Sequence, residues 1–395
     1  MGKKIRGTGV VAAAQAVKYA DVDVISSYPI RPYTGTMIEL AKMVANGELD
    51  AEFVHAEGEH GQLSIVLGAS ASGARVFTGS SGVGVTYAFE TYSPIAGSRL
   101  PVQMMIADRT LDPPGDFGSE HTDALSTRDQ GWLMGWAATP QEVFDNHLIN
   151  YRIGEDHRVL LPQMVCQDGY FVSHIPGDIE LPDPKQVKEF LPPYKLPHPL
   201  DPKHPVSHGP QIRPDQGAAL EAQRANSMEA VKPVIREVTD DFNRIFGRKY
   251  APFVEEFMTE DAEVVFFISG AHAETAKFAI RHMRNHGDKV GLVRPRWIRP
   301  WLTEDLREIM PRFKVVGVVE TNNSFGSALS GGILSLDLAA SLYNSPKRPL
   351  LTSFMGGLGG EVIGMEEFEW MARVMLDAAK KGKVEKETYW LGFES

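Results

Sequence analysis

The chain has 395 residues, of which 43% are hydrophobic and 23% charged, so it contains enough apolar residues to build folded cores. That length is long for a single core, and we expect two globular domains. The formal net charge of −11 would repel nucleic acids and anionic membrane surfaces, so neither is an expected partner. Cys166 is the only cysteine, which excludes an intrachain disulfide, a thiolate zinc site and an iron-sulfur cluster held by this chain alone.

The sequence also lacks the signals of a membrane or secreted protein. No stretch approaches the ~20 consecutive apolar residues that a membrane-spanning helix needs. Residues 1–6 are basic, but no apolar segment of the kind found in secretory signals follows them. We therefore expect a cytoplasmic protein.

Helical and strand-like segments alternate along the first part of the chain. Small apolar residues recur at helical spacing over residues 9–20, and residues 21–27 are typical of a short buried strand. The alternation continues with helices at 33–46 and 61–72, strands at 51–55, 75–78 and 101–106, and a glycine-rich loop at 78–84. This pattern predicts an α/β fold with a doubly wound parallel sheet and helices on both faces.

A proline-rich stretch separates this part from a second α/β pattern. Residues 191–214 contain eight prolines, which exclude a regular helix or strand and favour an extended crossing. A helical stretch follows over residues 216–246, and alternating strands and helices begin again at Glu263. We predict three segments: a first domain at 1–190, a proline-rich and helical connector at 191–260, and a smaller α/β domain at 261–395.

Two loops place an arginine just past the end of a predicted strand. Arg31 follows the strand at 21–27, and Arg109 follows the strand at 101–106. Open α/β sheets bind their ligands at the carboxyl ends of the strands, and guanidinium groups pair well with carboxylates. The two arginines therefore predict a substrate with two negative charges.

Many short motifs occur in the order and spacing of one known family. They are Tyr-Pro-Ile-Arg-Pro at 28–32, Glu-Gly-Glu-His at 57–60, Gly-Ala-Ser at 68–70, Gly-Ala-Arg at 73–75, Thr-Gly-Ser-Ser-Gly at 78–82, Asp-Arg at 108–109, Glu-His-Thr-Asp at 120–123, Arg-Asp-Gln-Gly-Trp at 128–132, Gly-Leu-Val-Arg-Pro at 291–295, Arg-Pro-Trp at 299–301 and Glu-Thr-Asn-Asn-Ser-Phe-Gly at 320–326. Together they resemble the alpha subunit of the thiamine-diphosphate-dependent 2-oxoacid:ferredoxin oxidoreductases across most of the chain. The resemblance implies a pyrimidine-binding-type domain followed by a smaller domain like the C-terminal domain of transketolase.

The resemblance also implies how a cofactor would be held. Glu59, rather than Glu57, matches the glutamate that hydrogen-bonds the pyrimidine ring of thiamine diphosphate and takes part in catalysis, and Pro29 and Ile30 would contact the cofactor. Without the resemblance, an acid at this position would only cap a helix.

The Gly-Asp-Gly sequence that normally holds the magnesium ion and diphosphate is absent. The resemblance therefore implies a beta-type partner subunit that holds the magnesium and the diphosphate, with no metal ligand in this chain. Iron-sulfur clusters would lie in partner subunits only, and these would pass electrons to ferredoxin.

The loop around Arg31 sets the expected substrate. Pyruvate-acting members of the family generally have threonine at this position, whereas Arg109 matches their carboxylate-binding arginine. A second arginine beside the cofactor would be costly to desolvate unless an anion met it. We therefore expect a small dianionic substrate and, within the family, a member that oxidises oxalate to two carbon dioxide molecules. The alternatives are a surface arginine, an enzyme for pyruvate or another 2-oxoacid, and a non-catalytic scaffold subunit.

The segment after Arg109 has two interpretations. Residues 112–118 include two prolines and two glycines, which are typical of a rigid turn. Beside an active site they could instead form a gate, in which Asp112 repels a carboxylated intermediate and promotes decarboxylation, and Phe117 then fills the space. His121, further along, could be an acid-base group or part of a structural hydrogen-bond network.

Overall fold

The computed structural model describes residues 2–112, 118–209 and 211–393. Its strands are Lys3–Gly7 (β1), Val24–Ser27 (β2), Glu52–His55 (β3), Val76–Ser80 (β4), Gln103–Asp108 (β5), Leu133–Ala137 (β6), Gln163–Asp168 (β7), Gly177–Leu181 (β8), Val254–Phe257 (β9), Val264–Phe267 (β10), Val290–Pro295 (β11), Trp297–Arg299 (β12), Val315–Glu320 (β13), Leu350–Met355 (β14) and Thr388–Trp390 (β15). Its α-helices are Gly9–Tyr19 (α1), Thr34–Ala45 (α2), Glu59–Ala71 (α3), Val83–Tyr87 (α4), Phe89–Gly97 (α5), Thr122–Leu125 (α6), Pro140–Gly154 (α7), Pro184–Phe190 (α8), Pro214–Phe246 (α9), His272–Asn285 (α10), Thr303–Ile309 (α11), Ile333–Leu342 (α12) and Met365–Lys381 (α13). Two short 3-10 helices lie at Met310–Arg312 and Leu358–Gly360.

The first part of the chain folds around a seven-stranded sheet. The strand order is β12-β6-β7-β5-β4-β2-β3, and all neighbours pair in parallel except β12 with β6. Strands β4, β5, β6 and β7 are buried along their whole length, as expected of parallel strands covered by helices on both faces. The predicted doubly wound sheet is confirmed.

The last part of the chain folds around a second, six-stranded sheet. Its order is β15-β14-β13-β10-β11-β9, and only β9 runs antiparallel to its neighbour. The predicted second α/β unit is therefore present. Its first strand begins at Val254, and β12, which follows β11 directly, pairs with β6 of the first sheet.

The segment between the two sheets lies on the surface and then becomes a long helix. Residues 191–209 form no regular helix or strand, in line with their prolines. Helix α9 has 33 residues, and its buried positions lie in its second half, from Ser227 to Phe242. Nowhere in the described ranges is there a helix with the length and apolarity that a membrane span requires.

A buried ion pair joins the two sheet units. Arg294 on β11 donates from both terminal nitrogens to the carboxylate of Glu142 on α7, at 2.9 and 2.6 Å, and its Nε donates to Glu255 at 2.7 Å. Burial alone would raise the pKa of Glu142, but the charges of Arg294 and Arg296 and the bonds from Arg294 outweigh it and lower that pKa to about 2.

We expect Glu142→Gln to reduce the free energy of unfolding by about 3 kcal/mol, because it leaves the guanidinium of Arg294 buried with one carboxylate fewer. The sign of the pH effect follows from the lowered pKa. The stabilisation is fully present above the ordinary glutamate pKa of 4.5 and is lost as the pH falls towards about 2.

Urea unfolding of both proteins at neutral and acidic pH measures this difference. The matched control is Glu237→Gln, which removes an exposed pair with Arg158 and should cost under about 1 kcal/mol. Equal stabilities of wild type and Glu142→Gln at neutral pH would show that the buried pair does not hold the two units together.

Candidate active site

The loops that follow β2, β4 and β5 meet at the carboxyl edge of the first sheet. The backbone N–H of Tyr33, after β2, donates to the hydroxyl of Ser81, after β4, at 3.3 Å. A methyl group placed on Gly169 would lie 2.0 Å from the carbonyl oxygen of Asp108 and 3.0 Å from Cγ of Pro32. The loop that carries Arg31 therefore reaches across the sheet to the ends of β5 and β7.

Glu59 is the buried acid of this edge. It is the first residue of α3 and is 5% exposed, whereas Glu57 is exposed. Burial raises the pKa of Glu59, and this is opposed in part by its backbone N–H and by the positive charge of Arg109. The raised pKa favours the protonated carboxyl, which can donate a hydrogen bond.

A glycine lets the Glu59 carboxyl group pack directly against the backbone of α4. A methyl group on Gly84 would lie 2.3 Å from Oε1 of Glu59 and 2.6 Å from Oγ of Ser80. The Ser80 hydroxyl is buried and has no hydrogen-bond partner within the part of the chain that the structure describes. A buried carboxyl and an unpaired hydroxyl beside a glycine are groups that fit the edge of a nitrogen-containing ring.

Arg109 lies at the end of β5 with its side chain held against a glycine. It is 6% exposed. A methyl group on Gly82 would lie 2.3 Å from Nε and 2.9 Å from Cγ of Arg109, so only glycine leaves room for the arginine there. Gly82 also has a φ of +52°, which an L side chain rarely adopts. The guanidinium group is thus oriented by backbone as well as by charge.

Arg31 does not share this buried environment. Arg31 and Pro29 are exposed, and Ile30 is half-buried. The cost of desolvating a second arginine was the reason to expect a dianion. Because Arg31 keeps its contact with water, that cost does not arise, and its charge needs no substrate anion to balance it.

The segment after Arg109 is described only in part. The Asp112 carboxylate is 43% exposed and lies 3.8 Å from a terminal nitrogen of Arg109. The proposed gate therefore begins beside the arginine. Phe117 lies outside the described residues, as do residues 113–116.

His121 belongs to a buried network between the two sheet units. Its Nε2 lies 3.2 Å from Oδ1 of Asp168, and its backbone N–H donates to the carbonyl of Thr321 at 2.9 Å. The other oxygen of Asp168 accepts from the backbone N–H of Ala271 at 2.7 Å. The ring also packs on Trp136, with the ring centroids 5.0 Å apart. These contacts favour the structural interpretation of His121.

Sequence reasoning did not identify Ser80 or Gly84 as site residues. Both lie in or beside the glycine-rich loop at 78–84, which was the one signal that pointed to them. The described residues also contain no group of three or more histidine, cysteine, aspartate or glutamate side chains arranged to hold a metal ion.

Comparison with known proteins identifies the family. Residues 15–240 match the family described as pyruvate flavodoxin/ferredoxin oxidoreductase, thiamine diphosphate-binding, and residues 262–368 match core domain II of pyruvate:ferredoxin oxidoreductase. The chain belongs to this oxidoreductase family. The first match covers the edge that holds Glu59 and Arg109, and the fold is the one predicted for a thiamine-diphosphate-binding module followed by a second α/β unit.

Similar proteins span almost the whole chain. Pyruvate synthase subunit PorA of Pyrococcus horikoshii is 38% identical over 96% of this chain and 96% of its own. Ketoisovalerate oxidoreductase subunit VorA of the same organism is 36% identical over 97% of this chain and 96% of its own. The assignment to the alpha subunits of the 2-oxoacid:ferredoxin oxidoreductases is therefore confirmed.

A solved structure shares the fold. The 2-oxoglutarate:ferredoxin oxidoreductase from Magnetococcus marinus superimposes with a TM-score of 0.72 at 18% sequence identity. The match covers 94% of this chain and 65% of that one. At this level of identity the likeness concerns architecture alone.

The prediction of oxalate as substrate is wrong. The relatives that match nearly the whole chain at 36 to 38% identity are pyruvate synthase and ketoisovalerate oxidoreductase subunits, which support the stated alternative. The physical reason lies in Arg31. The sequence could not show that its side chain is exposed, and the inference of a dianion depended on its burial.

Proposed function

We propose that this chain is the alpha subunit of a hetero-oligomeric 2-oxoacid:ferredoxin oxidoreductase that acts on pyruvate or a related 2-oxoacid. It contributes the pyrimidine-binding half of a thiamine diphosphate site. The observation that carries the proposal is the buried Glu59 carboxyl, with its raised pKa, packed against Gly84 beside the buried Ser80 hydroxyl. A scaffold subunit would have no use for a buried acid and a buried arginine at one sheet edge, because each is costly to desolvate.

The residues of this chain have distinct roles in the proposal. Glu59 donates a hydrogen bond to the ring nitrogen of the cofactor, and Pro29 and Ile30 border the ring. Arg109 binds the substrate carboxylate, and Asp112 lies beside it to promote loss of carbon dioxide. When bound, thiamine diphosphate supplies the nucleophilic carbon that attacks the 2-oxo group and accepts the electrons left by decarboxylation.

Arg31 has a more peripheral role. Its loop reaches the ends of β5 and β7, but its side chain is exposed. We place it at the outer edge of the substrate site, where it would meet a second anionic group on a longer 2-oxoacid. An exposed charge contributes at most about 1 kcal/mol, so Arg31 adjusts the choice between 2-oxoacids without being required for turnover.

We infer partner subunits from a motif that this chain lacks and from apolar side chains that it exposes. It has no Gly-Asp-Gly sequence. Three apolar side chains beside the half-site are exposed, namely Val83, Tyr87 and Phe89, and the Tyr87 ring lies 2.9 Å from a methyl group placed on Gly58. A beta-type subunit that holds the magnesium and the diphosphate would cover them. Other subunits would hold the iron-sulfur clusters through which electrons pass to ferredoxin in the cytoplasm.

The experiment that tests this function is reduction of a viologen dye by the complex purified without oxygen. Pyruvate, 2-ketoisovalerate, 2-oxoglutarate and oxalate are compared at equal concentrations, with coenzyme A present to accept the acyl group. We expect turnover with at least one of the three 2-oxoacids and none above background with oxalate. Turnover restricted to oxalate, or no turnover with any 2-oxoacid, would contradict the proposed function.

A further inference from the structure

Two buried aspartates lie directly beneath the site, and the proposed function gives neither a role. Asp108 is the last residue of β5, and Asp123 lies in α6. Both are completely buried. An unpaired buried carboxylate is strongly unfavourable, so the partners of these two groups indicate what they are for.

Asp123 binds the loops that follow β4 and β5 at the same time. Its Oδ2 accepts hydrogen bonds from the backbone N–H groups of Gly82, at 2.6 Å, and of Arg109, at 3.1 Å. Its Oδ1 accepts from the backbone N–H of Ala124 at 2.8 Å. One carboxylate oxygen therefore fixes the distance between two loops that are otherwise separate in the chain.

These two loops carry the groups that face the substrate and the cofactor. The Arg109 side chain packs against Gly82. Asp123 therefore holds both the backbone of Arg109 and the glycine on which its side chain lies. Two residues further on, Gly84 borders the Glu59 carboxyl. The position of Arg109 relative to Glu59 therefore depends on the bonds that Asp123 makes.

Asp108 supports Asp123 from below. Its Oδ2 accepts from the indole N–H of Trp136 at 2.7 Å, whereas its Oδ1 is buried and, if ionised, has no donor within the ranges described. A protonated Asp108 can donate a hydrogen bond to Asp123. Burial and the nearby charges of Asp123 and Asp168 raise the pKa of Asp108, in agreement with a neutral acid.

Asp123 is the partner that keeps the negative charge. Burial raises its pKa to about 6, but the three backbone N–H groups and the bond from Asp108 all oppose that rise. The stronger rise of the Asp108 pKa favours a proton on Asp108 and a negative charge on Asp123.

We propose that Asp123 is a positioning residue that fixes the position of Arg109 relative to Glu59. This inference rests on the proposed function for the meaning of Arg109, but its geometry can be measured without turnover. It assigns a role in substrate binding to a residue that touches neither substrate nor cofactor.

The test is Asp123→Asn in the assembled complex. An amide that turns its oxygen towards Gly82 and Arg109 would keep both bonds, so Asp123→Ala, which removes every acceptor, is measured beside it. We expect the KM for the 2-oxoacid to rise by about tenfold, the value of one lost hydrogen bond to a charged group, with a smaller change in kcat. The affinity for thiamine diphosphate should not change.

Three further variants separate positioning from general instability. Gly82→Ala leaves Asp123 in place but displaces the arginine, and should raise the KM similarly. Asp108→Asn keeps a donor for Asp123 and an acceptor for Trp136, and should raise the KM less than Asp123→Asn does. Asp145→Asn, another buried aspartate that pairs with Arg248 and Tyr250 away from the site, controls for burial alone and should leave the KM unchanged.

Amide hydrogen exchange on the full chain gives a readout independent of catalysis. The amides of Gly82 and Arg109 should lose protection in Asp123→Ala and keep it in Asp145→Asn. A wild-type complex inactive with every 2-oxoacid would refute the proposed function, and exchange would still decide the geometry. An active complex whose KM and amide protection are unchanged by both Asp123→Asn and Asp123→Ala would overturn the positioning role.

Discussion

Replacing Glu59 by glutamine is expected to reduce the kcat of the assembled complex by roughly 100-fold or more, because the amide cannot support the proton shift that an acid-base group provides. The complex should still assemble, since the replacement is of equal size. Steady-state dye reduction measures the loss. The matched control is Glu57→Gln, two residues away and exposed, which should retain nearly full activity.

The two variants also distinguish the two glutamates. A large loss in Glu57→Gln with little change in Glu59→Gln would transfer the cofactor-binding role to the exposed acid. Comparable losses in both would mean that the N-terminus of α3, rather than one carboxyl group, is what turnover requires.

The raised pKa of Glu59 predicts how the kcat depends on pH. The protonated carboxyl is the hydrogen-bond donor, and it is lost as the pH rises through the raised pKa. The kcat of the wild-type complex should therefore fall on the alkaline side. The residual activity of Glu59→Gln should lack this fall, because glutamine does not titrate.

Replacing Arg109 by methionine is expected to lower kcat/KM by roughly 100-fold or more. A guanidinium that binds a carboxylate through two hydrogen bonds contributes on the order of 3 kcal/mol, and each 1.4 kcal/mol corresponds to about tenfold. Arg109→Lys keeps the charge but not the paired donors, so it should recover only part of the loss. Initial rates over a range of 2-oxoacid concentrations measure both variants.

The outcome for Arg109 also bears on Asp123. If Arg109→Met changes kcat/KM by less than threefold, the substrate carboxylate binds elsewhere. The position of Arg109, which Asp123 fixes, would then not affect substrate binding. A large loss of kcat/KM in Arg109→Met together with a tenfold rise in KM for Asp123→Asn would agree with a structure in which Asp123 holds Arg109 and Arg109 binds the substrate.

The sequence predicted the sheet architecture better than its individual strands. The helix-strand alternation over the first hundred residues identified the parallel sheet, because each strand there is an apolar run between turn residues. Strand β7 was missed, since buried polar side chains such as Gln163 and Gln167 interrupt its apolar pattern. Strand β12 could not have been placed, because its pairing with β6 joins residues about 160 positions apart.

In the candidate site, too, the sequence predicted some features and missed others. Motif spacing selected Glu59 over Glu57, and the structure buries the first and exposes the second. Local sequence does not show whether a side chain is exposed. The prediction of oxalate assumed that Arg31 is buried, and for this reason it was wrong. Asp123 acts through backbone N–H groups of distant loops, and no side-chain pattern reveals such bonds.

Calorimetric titration of thiamine diphosphate with magnesium tests the shared half-site most directly. The cofactor is titrated into this chain alone, into its beta-type partner alone, and into the two together. We predict tight, magnesium-dependent binding only for the mixture, weakened when this chain carries Glu59→Gln. Tight, magnesium-dependent binding by this chain alone would contradict the account, because it would place the diphosphate and its metal on a chain without the Gly-Asp-Gly sequence.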